Sequence, residues 1–290
     1  MIGPTHAMPD NLAGGPPRAG PSQRAPYAVS VLLAVAVAAG CAPTFFLPGV
    51  LSGPDVMNGS ARGTALVMLV VGLPILLGAM ALAYRGSGRA IIVWLGTAAY
   101  LAYNAVMLLF ATPFNPLFLL YVAMLALAAA TIATLAAHVD VAVMTPGTPA
   151  RPVAVYMWAV IAINALVWLR AIIPALGDAA HAPFLRGTEM TTSPVYVQDL
   201  ALWLPFAAVS AWWLWQRKPW GLLAGGAYLT MWVLESLTIA TDQWFGHRAD
   251  PLSPVASLSV VAPFTAFALL GCAPLVLLLR SVPCLNRHRR

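Results

Sequence analysis

Apolar runs of about 18–25 residues recur eight times along this chain, at roughly 27–48, 63–84, 90–112, 115–137, 153–175, 198–215, 220–241 and 257–280. At a helical rise of about 1.5 Å per residue, each is long enough to cross a hydrocarbon core of about 30 Å. Composition points the same way. Hydrophobic residues make up 61% of the 290 and charged residues only 8%, whereas a soluble domain carries about 25% charge. So few charges cannot cover a water-facing surface of this size. The chain therefore reads as all-α, a polytopic transmembrane helical bundle of eight spans. Residues 27–281 form the transmembrane domain. Residues 1–26, rich in Pro, Gly and Ala, form a disordered cytoplasmic tail, and 282–290 a basic cytoplasmic one.

The basic residues set the orientation. Arg18, Arg24, Arg85, Arg89, Arg151, Arg217, Lys218, Arg280, Arg287, Arg289 and Arg290 fall on one side, which makes eleven. Arg62, Arg170, Arg186 and Arg248 fall on the other, and the two sets account for all 15. Lys and Arg are retained inside, so both termini are expected in the cytoplasm. The net charge of +6 has no basic face interleaved with aromatics, which argues against nucleic acid as a partner and for the lipid bilayer. Ten Trp and eight Tyr suit two interfacial belts.

Two local motifs bear on processing. Val37-Ala38-Ala39-Gly40-Cys41 resembles a lipoprotein-type site, and cleavage there would leave seven spans. The apolar run continues through Phe45 and Phe46, however, so an uncleaved first helix is the expectation. Asn58-Gly59-Ser60 is formally a glycosylation triplet on the outer side. Cys41, Cys272 and Cys284 contain no CxxC pair, so no disulfide framework or zinc site is indicated.

Ionisable groups inside a bilayer are costly and persist only when paired, hydrated or useful. Glu235 lies about 15 residues into the seventh run and Arg170 about 17 into the fifth, which puts both in the outer half at similar depth. Opposite charges at one depth are natural partners. Tyr228, Trp232, Glu235, Thr238 and Asp242 recur at three- and four-residue spacing, as do Tyr100, Tyr103, Asn104 and Met107 on the third run. Gln198 and Asp199 open the sixth run, with Trp203 one turn deeper and Pro205 able to kink it. The candidate ligand-binding set is therefore Arg170, Glu235, Asp199, Asp242, Asn104, Tyr100, Tyr103 and Trp232. The plainer alternatives are that the aromatics anchor the interface and that Asn104 and Asn164 join helices. Arg170 would then snorkel to water, and Asp199, Asp242 and Asp250 would be solvated rim residues. The outer segment 176–197 is the one connection long enough to form a lid.

Other chemistries lack their motifs. There is no phosphate-binding Gly-rich loop, HExxH or GxSxG, and the only lysine, Lys218, lies in a cytoplasmic turn. His181 and His247 lie outside beside Asp178, Glu189 and Asp250, but no ligand spacing supports a metal. No cofactor is expected.

Several stretches resemble an uncharacterised family of multi-pass membrane proteins found mainly in actinobacteria. They are Gly59-Ser60-Ala61-Arg62-Gly63-Thr64, Phe110-Ala111-Thr112-Pro113-Phe114-Asn115, Pro194-Val195-Tyr196-Val197-Gln198-Asp199-Leu200, and Glu235 through Trp244. The resemblance covers roughly residues 50–280. It implies a bacterial plasma-membrane location and assigns no activity or site residue.

Three functions fit these observations. The leading one is a protein that binds or transports a small molecule through an outward-facing polar pocket between the third, fifth, sixth and seventh spans, with Arg170 holding an anionic group or pairing with Glu235. The second is a structural or assembly protein whose polar residues only join helices, with Gly221 and Gly225 marking close packing. The third is an intramembrane enzyme acting on a lipid-type substrate, with Glu235 or Asp242 as general base. The absence of a recognisable nucleophile weakens this last reading.

Overall fold

The structure, a computed structural model, describes residues 21–144, 147, 149–178 and 182–282. It is built from helices, with no strand among the described residues. The long helices are α1 (Pro21–Phe46), α2 (Asp55–Tyr84), α3 (Gly88–Phe110), α4 (Phe118–His138), α5 (Ala150–Ala175), α6 (194–215), α7 (Pro219–Ala249) and α8 (Leu258–Arg280). Seven of these, all but α6, are long and apolar enough to cross a membrane. The outward surface is correspondingly apolar: Val35, Leu166, Leu269 and their neighbours are exposed on α1, α5 and α8.

Two helices contain a wide π-helical turn, Met68–Gly72 in α2 and Asp199–Trp203 in α6. Each lies just before a proline, Pro74 or Pro205. A proline ring clashes with the carbonyl four residues earlier and offers no N–H to it, and the wider turn relieves both problems. In α6 the widened turn leaves two short helical pieces, Pro194–Gln198 and Leu204–Trp215.

α7 and α3 form the centre. About four-fifths of the most apolar window of α7 (78%) and 72% of that of α3 are buried, against 11% for α8. The two run parallel and in close contact, because Gly96 of α3 meets the backbone of Ala227. α2 packs antiparallel along α7, with Gly59 against Phe245 and Gly246, and Gly63 against Asp242. α1 and α4 close the other side through buried polar contacts. Trp94 Nε1 donates to Ser30 Oγ (3.0 Å), and Ser30 Oγ donates to Thr131 Oγ1 (3.3 Å). Thr44 Oγ1 is committed to Gly40 O (2.7 Å), so Tyr121 Oη donates to it (2.6 Å).

Tight turns join the antiparallel neighbours. α2 ends with Gly86 at φ 89°, which lets Ser87 N reach Leu82 O (3.1 Å), and Ser87 Oγ then caps α3 at Ala90 N. The turn from α6 to α7 has the same form, but Arg217 holds the left-handed position at φ 56°. Tyr27 of α1 packs on Tyr84 and Trp94, and Leu278 of α8 packs on Gly226, so both described ends of the chain lie at the Lys218 end of the bundle.

The helices depart from the apolar runs in several places. α1 begins at Pro21, so residues 21–26 are helical and not part of a disordered tail. The expectations for 1–20, for 283–290 and for Cys284 lie outside the described residues. α2 starts at Asp55 and α7 continues to Ala249, both beyond their apolar stretches. The extensions pack on each other through Gly59 and Gly63, a contact that hydropathy cannot register. Asn58 therefore sits within a packed helix and donates to Gly53 O (2.6 Å); it is not in an open loop. Cys41 is fully buried in mid-helix, facing Met68 Sδ at 3.7 Å, and the helix continues past it to Phe46. Gly221 and Gly225 both face Leu214 of the adjoining α6, so the tight packing in this region is the α6–α7 turn.

Candidate functional site

α5 positions the site by leaning away from the bundle. Its buried residues, Ala150, Val153, Ala154 and Met157, all fall in its first third, at the Lys218 end. Beyond them α5 stays on α6, makes few contacts with α8 and diverges from α7. The wedge left between them is a cavity of about 220 Å³. Its lip is formed by Val160, Ile163 and Val167 of α5 and by Phe264 and Phe267 of α8; Ile163 (57%) and Val167 (51%) are also surface-exposed. The cavity therefore lies between the apolar faces of α5 and α8.

Glu235 of α7 lines the inner wall and is itself buried. Asn104 of α3 donates to Glu235 Oε2 (2.6 Å) and to its own helix at Tyr100 O (3.1 Å), which fixes the amide. One turn along α7, Thr238 Oγ1 donates to Leu234 O (3.0 Å), so it must accept from Tyr100 Oη (2.8 Å). Asn104, itself fixed by Tyr100 O, thus holds the carboxyl group of Glu235 on the cavity wall.

Asp199 lies on the same cavity, buried in the π-helical turn of α6. Trp168 Nε1 of α5 donates to its Oδ2 (2.7 Å), and the Tyr103 hydroxyl is directed at the same carboxyl group. The expectation of a solvated rim residue is thus corrected, because the widened turn directs Asp199 inward. Trp203, at the end of that turn, is held by donating to Gln198 Oε1 (3.2 Å), and its ring stands 6.1 Å from that of Tyr103. Trp232 completes the wall with its ring 6.4 Å from Phe267. Asn164 Oδ1 is buried on the same cavity and has no hydrogen-bond partner among the described residues.

Two of the predicted site residues lie elsewhere. Arg170 is exposed on α5 and lines a shallow depression with Asp178, Pro183 and Phe184; no ion pair joins it to Glu235 among the described residues. Equal depth did not mean a shared face: Glu235 faces α3, whereas Arg170 lies beyond the wedge on the outer side of a helix that has already diverged. Asp242 sits at the α2–α7 contact, where its backbone meets Gly63 and accepts from Ser60 Oγ (3.3 Å), and it does not line the cavity. Asn115 is satisfied within its own turn by Thr112, Pro113 and Leu117. In the segment 176–197, Phe184 packs on Tyr196 at the Asp250 end. His181 lies outside the described residues.

Sequence reasoning passed over Trp168. The available signal was an indole N–H within an apolar run, which needs an acceptor; Asp199 was the nearest carboxylate in depth. No family model, curated protein or solved structure matches the chain.

Proposed function

We propose that the chain is a multi-pass protein of a bacterial plasma membrane that crosses it eight times with both ends in the cytoplasm. In this reading it binds, and by extension can move, a small molecule that enters the Glu235 cavity sideways from the lipid. The charge bias of the connections supports the orientation. The return of both described ends to the Lys218 end supports an even number of crossings, with the interrupted α6 counted as one.

The observation that carries the binding reading is a buried, anchored carboxyl group on the wall of a cavity. Helix association alone would not call for the cavity. At about 220 Å³ the space is below the roughly 300–1,000 Å³ of sites that enclose drug-sized ligands. It suits a compact polar head whose apolar body extends between α5 and α8. Entry from the lipid also favours the intramembrane-enzyme reading, but no Ser, Thr, Cys or His lines the cavity to act as nucleophile.

Propylbenzene tests the binding reading. In phosphatidylcholine nanodiscs it should raise the thermal midpoint of the wild type in a concentration-dependent way. Val167→Trp, which fills the lip, should abolish the rise. An equal rise in both proteins overturns the reading, as does the absence of a rise in the wild type with propylbenzene and with its polar-headed phenylalkyl analogues alike.

A further inference from the structure

The charged residues on the walls of this cavity are all of one sign: Glu235 and Asp199. Among the described residues no Lys, Arg or His lines it, and Arg170 lines a different depression. Of the indole and amide donors nearby, Trp168 Nε1 is engaged on Asp199, Trp203 Nε1 on Gln198, and Asn104 Nδ2 on Glu235 and Tyr100, while Trp232 Nε1 is buried without a partner among the described residues. The rest of the wall mixes aliphatic side chains with aromatic ones, among them Trp203, Trp232, Tyr103 and Phe267. Ring faces attract cations, most strongly when water is excluded.

An anionic head would meet two carboxyl groups and no counter-charge. A neutral apolar molecule would give the two carboxyl groups no hydrogen bond beyond those they already receive from Asn104 and Trp168. A protonated amine has neither shortcoming: its N–H groups match the carboxyl oxygens, and its charge is opposed by the carboxyl groups and faced by the rings.

Resting on the binding reading above, we infer that the cavity is a site for lipophilic amines. The ammonium head sits between Glu235 and Asp199, and the apolar body runs out between α5 and α8. This reverses the ligand charge that Arg170 would have implied.

Three probes that share one phenylalkyl body separate this inference from the reading beneath it: 2-phenylethylammonium, propylbenzene and 3-phenylpropanoate. Each is titrated calorimetrically into the protein in phosphatidylcholine nanodiscs at neutral pH, with empty nanodiscs as the blank. The ammonium, which makes charge-assisted hydrogen bonds, should bind about tenfold or more tighter than propylbenzene, and the carboxylate should bind weakest. Glu235→Gln and Asp199→Asn should each reduce the ammonium preference to about threefold or less while propylbenzene still binds, and retained propylbenzene binding also reports that the variants are folded. If propylbenzene or the carboxylate binds as tightly as the ammonium in the wild type, the amine class is overturned and the cavity reading stands. If none of the three binds, both fall. A preference that survives in both variants places the ammonium elsewhere and overturns the inference.

Discussion

Gly96→Ala tests the contact on which the site is built. Gly96 lets α3 lie directly on α7: a methyl group there would stand 2.4 Å from Ala227 O and 2.5 Å from Thr230 Cβ. Ordinary contact begins near 3.4 Å, so the helices must separate by about 1 Å, and since Ala227 O is backbone no rotamer change relieves it. Overpacking of this kind costs about 1–3 kcal/mol. Tyr100 and Asn104 lie one and two turns further along the same face, so the Tyr100–Thr238 and Asn104–Glu235 hydrogen bonds also lengthen, adding roughly 1 kcal/mol each at most. The expected destabilisation is about 2–4 kcal/mol, read from unfolding in mixed micelles of increasing denaturing detergent. Gly78→Ala is the matched control. Nothing lies within 4 Å of its added methyl group, so it should be neutral or stabilising by up to about 1 kcal/mol. A Gly96→Ala protein within about 0.5 kcal/mol of wild type would refute the close parallel packing of α3 and α7.

Three further predictions use the same assay. Trp168→Phe keeps most of the ring packing but removes the indole donor from buried Asp199, and should cost about 1–3 kcal/mol; no change would mean that the Trp168–Asp199 bond is not formed. Ser30→Ala breaks the chain from Trp94 through Ser30 to Thr131 and leaves the Trp94 indole without its acceptor, for about 1–2 kcal/mol; an unchanged variant would remove the α1–α3–α4 polar link. Arg217→Gly relieves a left-handed residue in the α6–α7 turn and should stabilise by about 0.5–1 kcal/mol, whereas a loss would show that the Arg217 side chain makes compensating contacts.

Hydropathy made the helices legible because a run of about 20 apolar residues has few other uses. It did not reach the parts of helices that leave the apolar zone. Asp55–Arg62 and Thr241–Ala249 contain charges and glycines, and their helicity comes from the Gly59 and Gly63 contacts with α7. The α7 stripe placed Tyr228, Trp232, Glu235, Thr238 and Asp242 on one face; the structure brings the first three to the cavity, Thr238 to Tyr100 and Asp242 to the contact with α2. Depth along a helix could be counted from the sequence, but rotation about the axis relative to a neighbour could not. That is why Arg170, at a suitable depth, looked like the partner of Glu235 when the actual partner is a neutral amide on α3.

The account depends most on what holds Glu235. A double-mutant cycle measures this, with Asn104→Ala and Glu235→Ala made singly and together, and a second cycle that replaces Asn104→Ala with Arg170→Ala. The hydrogen bond predicts a coupling of about 1–3 kcal/mol between Asn104 and Glu235, and additivity within about 0.5 kcal/mol between Arg170 and Glu235. Coupling to Arg170 with additivity at Asn104 would contradict the site described here.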